Sequence, residues 1–272
     1  DGKDSYRELR RAHHAGEMPP AGEAMWHPKP VEELYDLQAD PLEVNNLANS
    51  PEHKEILNKM RGLLKEEVLK TRDAGFLFEP EMMMRSAGSS TYEMAQDTTK
   101  YALEKIYEAA EMVGKANPSD IAAKLSDDDS GVRFWAIIGL MNAMDAAKNY
   151  IPEVTKLLSD ASPTVQIAAA GLLCRLNKPE NALPVLGKWM NDERPWLALY
   201  AARTIQELGN AVKPLVPQIK AKLNEISIDP GDRKPHPGST RIYKDGKFAS
   251  FIGWALEGAL QEMGVEPKGQ FN

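Results

Sequence analysis

The chain has 272 residues, of which 42% are hydrophobic and 27% are charged, and its formal net charge is −7. This composition predicts a folded chain of one large or two ordinary domains. The excess of acids argues against nucleic acid or an anionic membrane as the partner, because both are bound by basic surfaces. The longest apolar runs are far shorter than the roughly 20 residues of a membrane-spanning helix. We therefore expect no transmembrane segment.

The single cysteine, Cys174, excludes an internal disulfide framework and any multi-cysteine metal site. The chain begins with Asp-Gly-Lys rather than Met, and nothing at this end resembles a signal peptide. We expect a processed chain or a fragment of a longer protein.

The first thirty residues are polar and interrupted by proline and glycine, so we expect irregular structure with one short helix, Tyr6–His14. Val31–Leu37 is predicted to form a short strand that runs into an Asp-Pro turn. Ser50 then caps an amphipathic helix, Pro51–Arg72, which has proline at its first position. Its apolar residues recur every three or four positions and predict one buried stripe: Ile56, Met60, Leu63, Leu64, Val68 and Leu69.

Residues 33–48 have the sequence E-L-Y-D-L-Q-A-D-P-L-E-V-N-N-L-A and precede this helix. The run resembles the C-terminal subdomain of the sulfatase family, in which a similar motif precedes the final helix. The sequence G-F-L-F-E-P-E-M, which begins at Gly75, also resembles bacterial sulfatases that carry a helical tail. The resemblance covers residues 25–85 and implies a small α/β subdomain of strand, turn and helix at residues 1–85, with residues 1–30 irregular.

Sulfatases hydrolyse sulfate esters with a formylglycine, made from Cys or Ser in a C/S-x-P/A-x-R motif, beside a calcium ion. Cys174 has Leu176 at the Pro/Ala position and Lys178 at the Arg position, while the closest serine, Ser159, has Pro163 at the Arg position. The resemblance therefore implies a non-catalytic part downstream of the catalytic core, with no catalytic residue or metal ligand. The formylglycine and calcium would lie in the N-terminal part.

The sulfatase resemblance also implies what the whole protein would do and where. The enzyme would act on a sulfated carbohydrate, in the periplasm or outside the cell. The partner of this chain would be the N-terminal sulfatase catalytic domain of the same protein.

From residue 86 the apolar pattern is periodic. Segments with proline in second place start at Ile151, Leu183 and Val216, which lie 32 and 33 residues apart, and a weaker copy starts at Ser119. A second helix follows each copy, and its apolar residues recur in steps of four, which places them on one face: Val132, Ala136 and Leu140; Val165, Ala169 and Leu173; Leu197, Ala201 and Ile205. A fixed period of this length predicts stacked helical hairpins.

Asp129-Ser-Gly-Val-Arg133 resembles the signature of HEAT-type repeats, although Gln166 and Ala198 stand at the arginine position in later copies. Further copies are expected at Tyr92–Gly114 and at the C-terminal helix that contains Ile252, Leu256 and Leu260. The predicted fold is therefore mainly α: a HEAT-like α-solenoid of about four to five hairpins over residues 86–264, with an insert at 226–247 and a tail at 265–272. A free-standing HEAT-like interaction module is the main alternative function, and an independent hydrolase is a third.

The insert carries the candidate ligand residues. Insertions in repeat proteins lie on one face and often bind a ligand, and the basic composition of this one suits a sulfated or otherwise anionic glycan, with another protein as the alternative partner. The candidates are Arg233, Lys234, His236, Arg241, Tyr243 and Lys244. An ordinary structured loop, indicated by its proline and glycine content, is the interpretation we favour over ligand binding.

Other chemistry-bearing groups have simpler interpretations. The five histidines lack metal-binding spacing and are expected at the surface. Asp127–Asp129 is expected to cap a helix rather than to bind a cation. Met82–Met84 and the neighbouring phenylalanines are expected to pack between the two modules rather than to form a soft binding surface. Trp196 is expected to be buried against a neighbouring repeat rather than to mark a binding face.

Overall fold

A computed structural model describes residues 4–228, 239, 241–244, 246 and 248–265. These residues are mainly helical, as the apolar periodicity predicted, and include one two-stranded antiparallel sheet. The chain forms two compact units that divide between Asp73 and Ala74, so the expected boundary at residue 85 lies within the second unit. Among the described residues, none of the helices combines the length and apolar character needed to cross a membrane.

The described residues of the first unit, 4–73, form three α-helices: α1 (Asp4–His14), α2 (Pro20–Glu23) and α3 (Lys54–Thr71). One 3₁₀ turn, Ala24–Trp26, follows α2, and another, Pro51–His53, precedes α3. Helix α3 ends where Arg72 adopts the left-handed conformation, with φ at 52°. The predicted helix Pro51–Arg72 is confirmed apart from its first turn, which is 3₁₀, but the predicted Ser50 cap is wrong, because the Ser50 side chain makes no capping hydrogen bond and lies 2.8 Å from Nδ1 of His53.

The strand predicted at Val31–Leu37 does not form, and this segment is extended coil. The side chain of Asn46 makes hydrogen bonds to this segment that a neighbouring strand would otherwise make. Its Oδ1 accepts a hydrogen bond from the backbone N–H of Leu34 at 3.0 Å, and its Nδ2 donates to the carbonyl of Glu32 at 2.9 Å. The backbone N–H of Leu47 donates to the Leu34 carbonyl at 2.7 Å. The backbone groups of this segment are thus paired by Asn46 and Leu47 rather than by a strand, and the strand of the α/β subdomain predicted at residues 1–85 is absent from the described residues of this unit.

The stripe predicted to be buried on α3 is largely exposed. The side chains that α3 buries are Leu57 and Val68, and the same face carries Arg61, which forms an ion pair with Glu32. The segment before α3 thus packs on a different face from the one expected. Four large apolar residues of α3 remain half or more exposed and are called here the apolar face of α3: Ile56 (50%), Met60 (51%), Leu63 (50%) and Leu64 (59%).

The described part of the second unit consists mostly of helices joined by short turns. Its α-helices are α4 (Glu79–Arg85), α5 (Thr91–Gln96), α6 (Leu103–Glu111), α7 (Pro118–Ala123), α8 (Ser130–Asn142), α9 (Met144–Ala147), α10 (Ile151–Lys156), α11 (Pro163–Arg175), α12 (Ala182–Met190), α13 (Pro195–Leu208), α14 (Val216–Ile226) and α15 (Ala249–Glu262). Its strands are β1 (Ser227–Ile228) and β2 (Ile242–Tyr243). The 3₁₀ turns are Ala74–Phe76, Lys124–Ser126, Lys148–Tyr150, Leu157–Ser159 and Gly209–Leu215.

The helices of this unit pack in consecutive pairs. Helices α7, α10, α12 and α14 contact the long helix that follows each of them, and these long helices, α8, α11, α13 and α15, contact one another in chain order. The first three long helices begin 33 and 32 residues apart, as the period predicted. Every predicted face residue is buried: Val132, Ala136, Leu140, Val165, Ala169, Leu173, Leu197, Ala201, Ile205, Ile252, Leu256 and Leu260.

The leading helix predicted at Tyr92–Gly114 is interrupted. Its two parts, α5 and α6, are separated by a turn in which Oδ1 of Asp97 accepts hydrogen bonds from the backbone N–H and the hydroxyl of Thr99, at 2.9 and 2.6 Å. Short polar side chains of this kind compete with helical hydrogen bonding. The expected terminal glycine, Gly114, does adopt a positive φ of 72°.

An aspartate recurs with the helical period before the long helices. In each copy its Oδ1 accepts a hydrogen bond at 2.8–2.9 Å from the backbone N–H two residues later, which turns the chain into the next helix. The three pairs are Asp127 with Asp129, Asp160 with Ser162, and Asp192 with Arg194. Asp129 also caps α8, so the capping interpretation of Asp127–Asp129 is confirmed.

Arg133 and Gln166 occupy equivalent positions in successive copies and make one contact in common. Nη1 of Arg133 donates to the carbonyl of Asp127 at 2.7 Å, and Nε2 of Gln166 donates to the carbonyl of Asp160 at 2.6 Å. Arg133 additionally reaches the Asp160 carboxylate in the next copy, at 2.7 Å. Oε1 of Gln166 instead accepts from the indole N–H of Trp189. Glutamine therefore keeps the contact within its own copy but not the ionic link to the next.

A buried polar cluster joins α4 to the N-termini of α8 and α11. The Arg85 guanidinium donates to both carboxylate oxygens of Asp129, at 2.7 and 3.1 Å, and to Oε1 of Glu81 at 3.0 Å. Glu81, which is 6% exposed, also accepts hydrogen bonds from the hydroxyls of Ser130 and Ser162. Burial alone would raise the pKa of Asp129, but Arg85 and nearby backbone N–H groups outweigh it, and this pKa is lowered.

Candidate functional site

The insert leaves the helical pairs at Ile226 and returns at α15. Its described part is a short hairpin in which Ser227 pairs with Tyr243 and Ile228 with Ile242. The ring of Tyr243 lies against α15 at Gly253, where a Cβ atom would overlap it. Burial raises the pKa of the Tyr243 hydroxyl, and the charge of Glu257 adds to this effect. Tyr243 is therefore a packing residue of the hairpin.

The six predicted ligand residues have different surroundings. Arg233, Lys234 and His236 lie outside the described residues. Arg241 donates from Nη1 to Oδ1 of Asn224 at 3.0 Å, and its Nε lies 3.9 Å from Oε1 of the buried Glu257.

Lys244 is exposed, and Tyr243 is buried. Arg241, Tyr243 and Lys244 are thus the three candidates that the structure describes, and Arg241 is engaged by Asn224 and Glu257. Within the part of the chain that the structure describes, an anionic ligand would depend mainly on Lys244, and the anionic-glycan site stays a prediction.

A cavity of about 410 Å³ opens beside this hairpin, and we call it the insert cavity. Its walls come from the start of α13, from α14 and α15, and from the insert itself. Its charged lining residues are Asp192, Glu193, Lys222, Glu225 and Lys244.

The charges of the insert cavity are partly neutralised by one another. Nζ of Lys222, a buried residue, lies 3.1 Å from Oε1 of Glu225. Asp192 accepts hydrogen bonds from the side chain and backbone of Arg194, which lower its pKa. With three carboxylates and two lysines, the cavity suits a ligand that carries hydroxyls or both signs of charge better than a multiply sulfated one.

Sequence reasoning missed the acidic side of this cavity. Asp192 stands in register with Asp160 and Asp127, so the repeat period could have placed it at the start of a long helix. No local signal relates it to Lys222 on α14, because the two residues line one cavity only in the folded chain.

Cys174, the sole cysteine of the chain, lies on α11 and is 1% exposed. Burial raises the pKa of its thiol to about 11, and the charge of Glu180 contributes further. A thiol of this kind is protonated at neutral pH and is a poor nucleophile. Across the described ranges, no group of three His, Cys, Asp or Glu side chains is arranged to hold a metal ion.

Comparisons of this chain with protein-family models, with curated proteins and with solved structures find no match. Function must therefore be argued from the residues themselves.

Proposed function

We propose that this chain is the non-catalytic C-terminal portion of a sulfatase that acts on sulfated carbohydrate. In this proposal the second unit is a HEAT-like α-solenoid that serves as a scaffold for stability and for partner or substrate contacts. The catalytic domain of the same protein, with its formylglycine and calcium, is the partner of the first unit.

The observation that carries this proposal is the exposed apolar surface of the first unit. Besides the apolar face of α3, the sulfatase-like segment exposes further large apolar residues: Val31, Leu37, Leu42 and Val44. Single exposed apolar residues are common, but several on one helix face and on the segment packed beside it are typical of a surface that binds another polypeptide.

The polar residues of the sulfatase-like motif hold this segment in shape. Oδ2 of Asp40 accepts hydrogen bonds from the backbone N–H groups of Val44 and Asn45, at 2.8 and 2.7 Å. Asn46 fixes the extended part, as described above, and Asp36 accepts from the backbone N–H of Gln38 at 3.0 Å. A segment stabilised by its own side chains can keep its apolar residues outward, as contact with a partner domain requires.

Helical pairs stacked with a 32–33 residue period support the scaffold role, because such stacks present extended surfaces and seldom carry catalytic sites of their own. The same pairs support the second candidate, a free-standing HEAT-like interaction module. The two candidates differ in whether the partner of the first unit is encoded upstream in the same protein.

The apolar face of α3 can be tested with the double substitution Met60→Glu and Leu63→Glu. Because both side chains are exposed, we expect the free energy of unfolding to change by less than about 1 kcal/mol. The binding of an apolar fluorescent dye and any self-association should fall, as measured by dye fluorescence and analytical ultracentrifugation. The control is Gly62→Glu, which adds a carboxylate to the other side of the same helix, where a new Cβ meets nothing within 4 Å.

Two outcomes would count against this account of the first unit. A loss of about 2–5 kcal/mol in the double variant would mean that the face is buried in the folded chain. Equal dye binding by the wild type, the double variant and the control would mean that the face is not an apolar binding surface.

A further inference from the structure

A second cavity, smaller and lined by aromatic side chains, lies away from the insert cavity. It has a volume of about 190 Å³, and we call it the aromatic pocket. Its walls include Phe78, Trp196, Tyr200 and Phe248, and the charged residues that line it are Glu79 and Arg203. Apolar cavities of about 150 Å³ hold one benzene ring, so this volume fits a single six-membered ring and little more.

The aromatic walls come from parts of the chain far apart in sequence but are held in place by ring contacts. The ring centroids of Phe78 and Tyr200 are 4.4 Å apart, and Phe78 also stacks on Phe134 at 5.1 Å. Phe78 thus fixes the floor of the pocket against α8 and α13. Because these rings are packed, the pocket exists before any ligand arrives.

Phe248 is held at the pocket in a strained backbone conformation. Its φ of 52° lies in the left-handed region, which is unusual for a bulky residue, yet its side chain remains 43% exposed. Backbone strain that keeps an apolar ring in solvent is more common at functional positions than elsewhere. The exposed ring of Phe251, 6.0 Å from that of Phe248, continues the aromatic surface beyond the pocket.

The polar groups at the pocket include both hydrogen-bond donors and a hydrogen-bond acceptor. Arg203 is exposed and uses Nη1 to bind Gln206, and its other N–H groups are donors. Glu79 is exposed and is an acceptor when ionised.

Nε1 of Trp196 is a buried donor that makes no hydrogen bond within the described residues. A buried N–H without a partner is unusual and needs an explanation.

We propose that the aromatic pocket binds one ring of a carbohydrate. The C–H bonds of a sugar face interact favourably with the negative faces of aromatic rings, and its hydroxyls both donate and accept. Such a ring can meet Glu79 and Arg203 in the pocket as it stands, and it can accept from the buried Trp196 N–H once the indole turns toward the pocket. A proline-rich peptide offers carbonyl acceptors to Arg203 and Trp196 but, at its prolines, no N–H for Glu79. This inference rests on the pocket and does not require the proposed sulfatase function.

The test is a titration of the whole chain with methyl β-glucopyranoside, methyl β-galactopyranoside and methyl α-mannopyranoside, followed by NMR. Trp196 Nε1 is shielded from solvent, so contact with the sugar requires the indole to turn toward the pocket. We expect its ¹⁵N–¹H resonance to shift on titration with at least one sugar, with a Kd on the order of 1–10 mM because a single ring makes few contacts.

Two pocket substitutions and one control localise the binding. Trp196→Phe keeps a ring but removes the N–H, and Phe248→Ala removes the exposed ring, so each should weaken binding about three- to tenfold, as measured from the backbone amide shifts of the pocket residues. Tyr92→Ala, which removes a 74% exposed ring on α5 outside the pocket, should leave the affinity unchanged. Retention of the wild-type far-ultraviolet circular dichroism shows that each variant is folded.

Three results would overturn the proposal. The first is the absence of a shift with all three sugars. The second is sugar binding that both pocket substitutions leave unchanged. The third is binding of a decaproline peptide at this pocket in place of the sugars, which would assign the site to peptide recognition. None of these results bears on the scaffold role, which the experiment on the apolar face of α3 tests separately.

Discussion

Replacing Arg85 with methionine is expected to lower the free energy of unfolding of the second unit by about 3–5 kcal/mol. Within the buried cluster, Arg85 forms ion pairs with two carboxylates, those of Glu81 and Asp129. Methionine keeps an unbranched side chain but leaves the buried Glu81 and the half-buried Asp129 without that charge. Since small proteins are stable by about 5–15 kcal/mol, the loss is a large fraction of the total.

The measurement is a denaturant titration followed by circular dichroism, with Arg175→Met as the control. Arg175 is 38% exposed and pairs at 3.1 Å with Glu207, which is also exposed. Exposed pairs of this kind contribute about 0–1 kcal/mol, so the control should change stability little. Adding Glu81→Gln to Arg85→Met should restore part of the loss, because it removes one uncompensated charge. Equal midpoints for the two arginine variants would contradict the role assigned to the cluster.

The cluster also predicts how stability depends on acidity. The pKa of Asp129 is lower in the folded chain than its ordinary value of 3.8. Its stabilising contribution is therefore complete well above pH 3.8 and is lost as the pH falls from there through the folded pKa. The stability difference between the wild type and Arg85→Met should consequently shrink below about pH 4.

Gly253→Ala is the substitution with the second-largest expected effect. A Cβ at this position would overlap the ring of Tyr243. Tyr243 belongs to the insert and is buried against α15, so its ring cannot move away freely. Overpacking of this kind costs about 1–3 kcal/mol, which outweighs the gain of up to about 1 kcal/mol from replacing a helical glycine. The variant should unfold at lower denaturant concentration than the wild type.

Gly258→Ala is the matched control, because it lies on the same helix. There the new Cβ would meet the end of the flexible Gln206 side chain, which can turn aside. We expect unchanged or slightly raised stability. Equal free energies of unfolding for the two alanine variants would mean that Tyr243 does not anchor the insert to α15. Tyr243 would then again be a candidate ligand residue.

The sequence predicted what depends on local periodicity. The long helices and their buried faces followed from steps of four residues, and the pairing followed from the 32–33 residue period. The break between α5 and α6 was missed because the apolar pattern continues across it, while the side chain of Asp97 ends the helix. The strand predicted at Val31–Leu37 was wrong because the Asn46 side chain and the Leu47 backbone N–H pair with this segment in place of a neighbouring strand.

Features that depend on distant residues could not be predicted. Arg85 and Asp129 lie 44 residues apart, and the aromatic pocket joins Phe78 to Phe248. The buried face of α3 is the one that carries Leu57, Val68 and Arg61, and the helical pattern gives no signal for the contact between Arg61 and Glu32. Periodicity identifies an apolar face but does not identify the molecule that covers it.

The proposal that this chain is the C-terminal portion of a sulfatase is tested most directly by sequencing the reading frame upstream of the codon for Asp1. The proposal predicts that the frame continues without a stop and encodes a C/S-x-P/A-x-R motif, together with the Asp and Asn ligands of a calcium site. A start codon directly before Asp1, or a continuous frame without that motif, would contradict it and leave the free-standing helical interaction module as the better account.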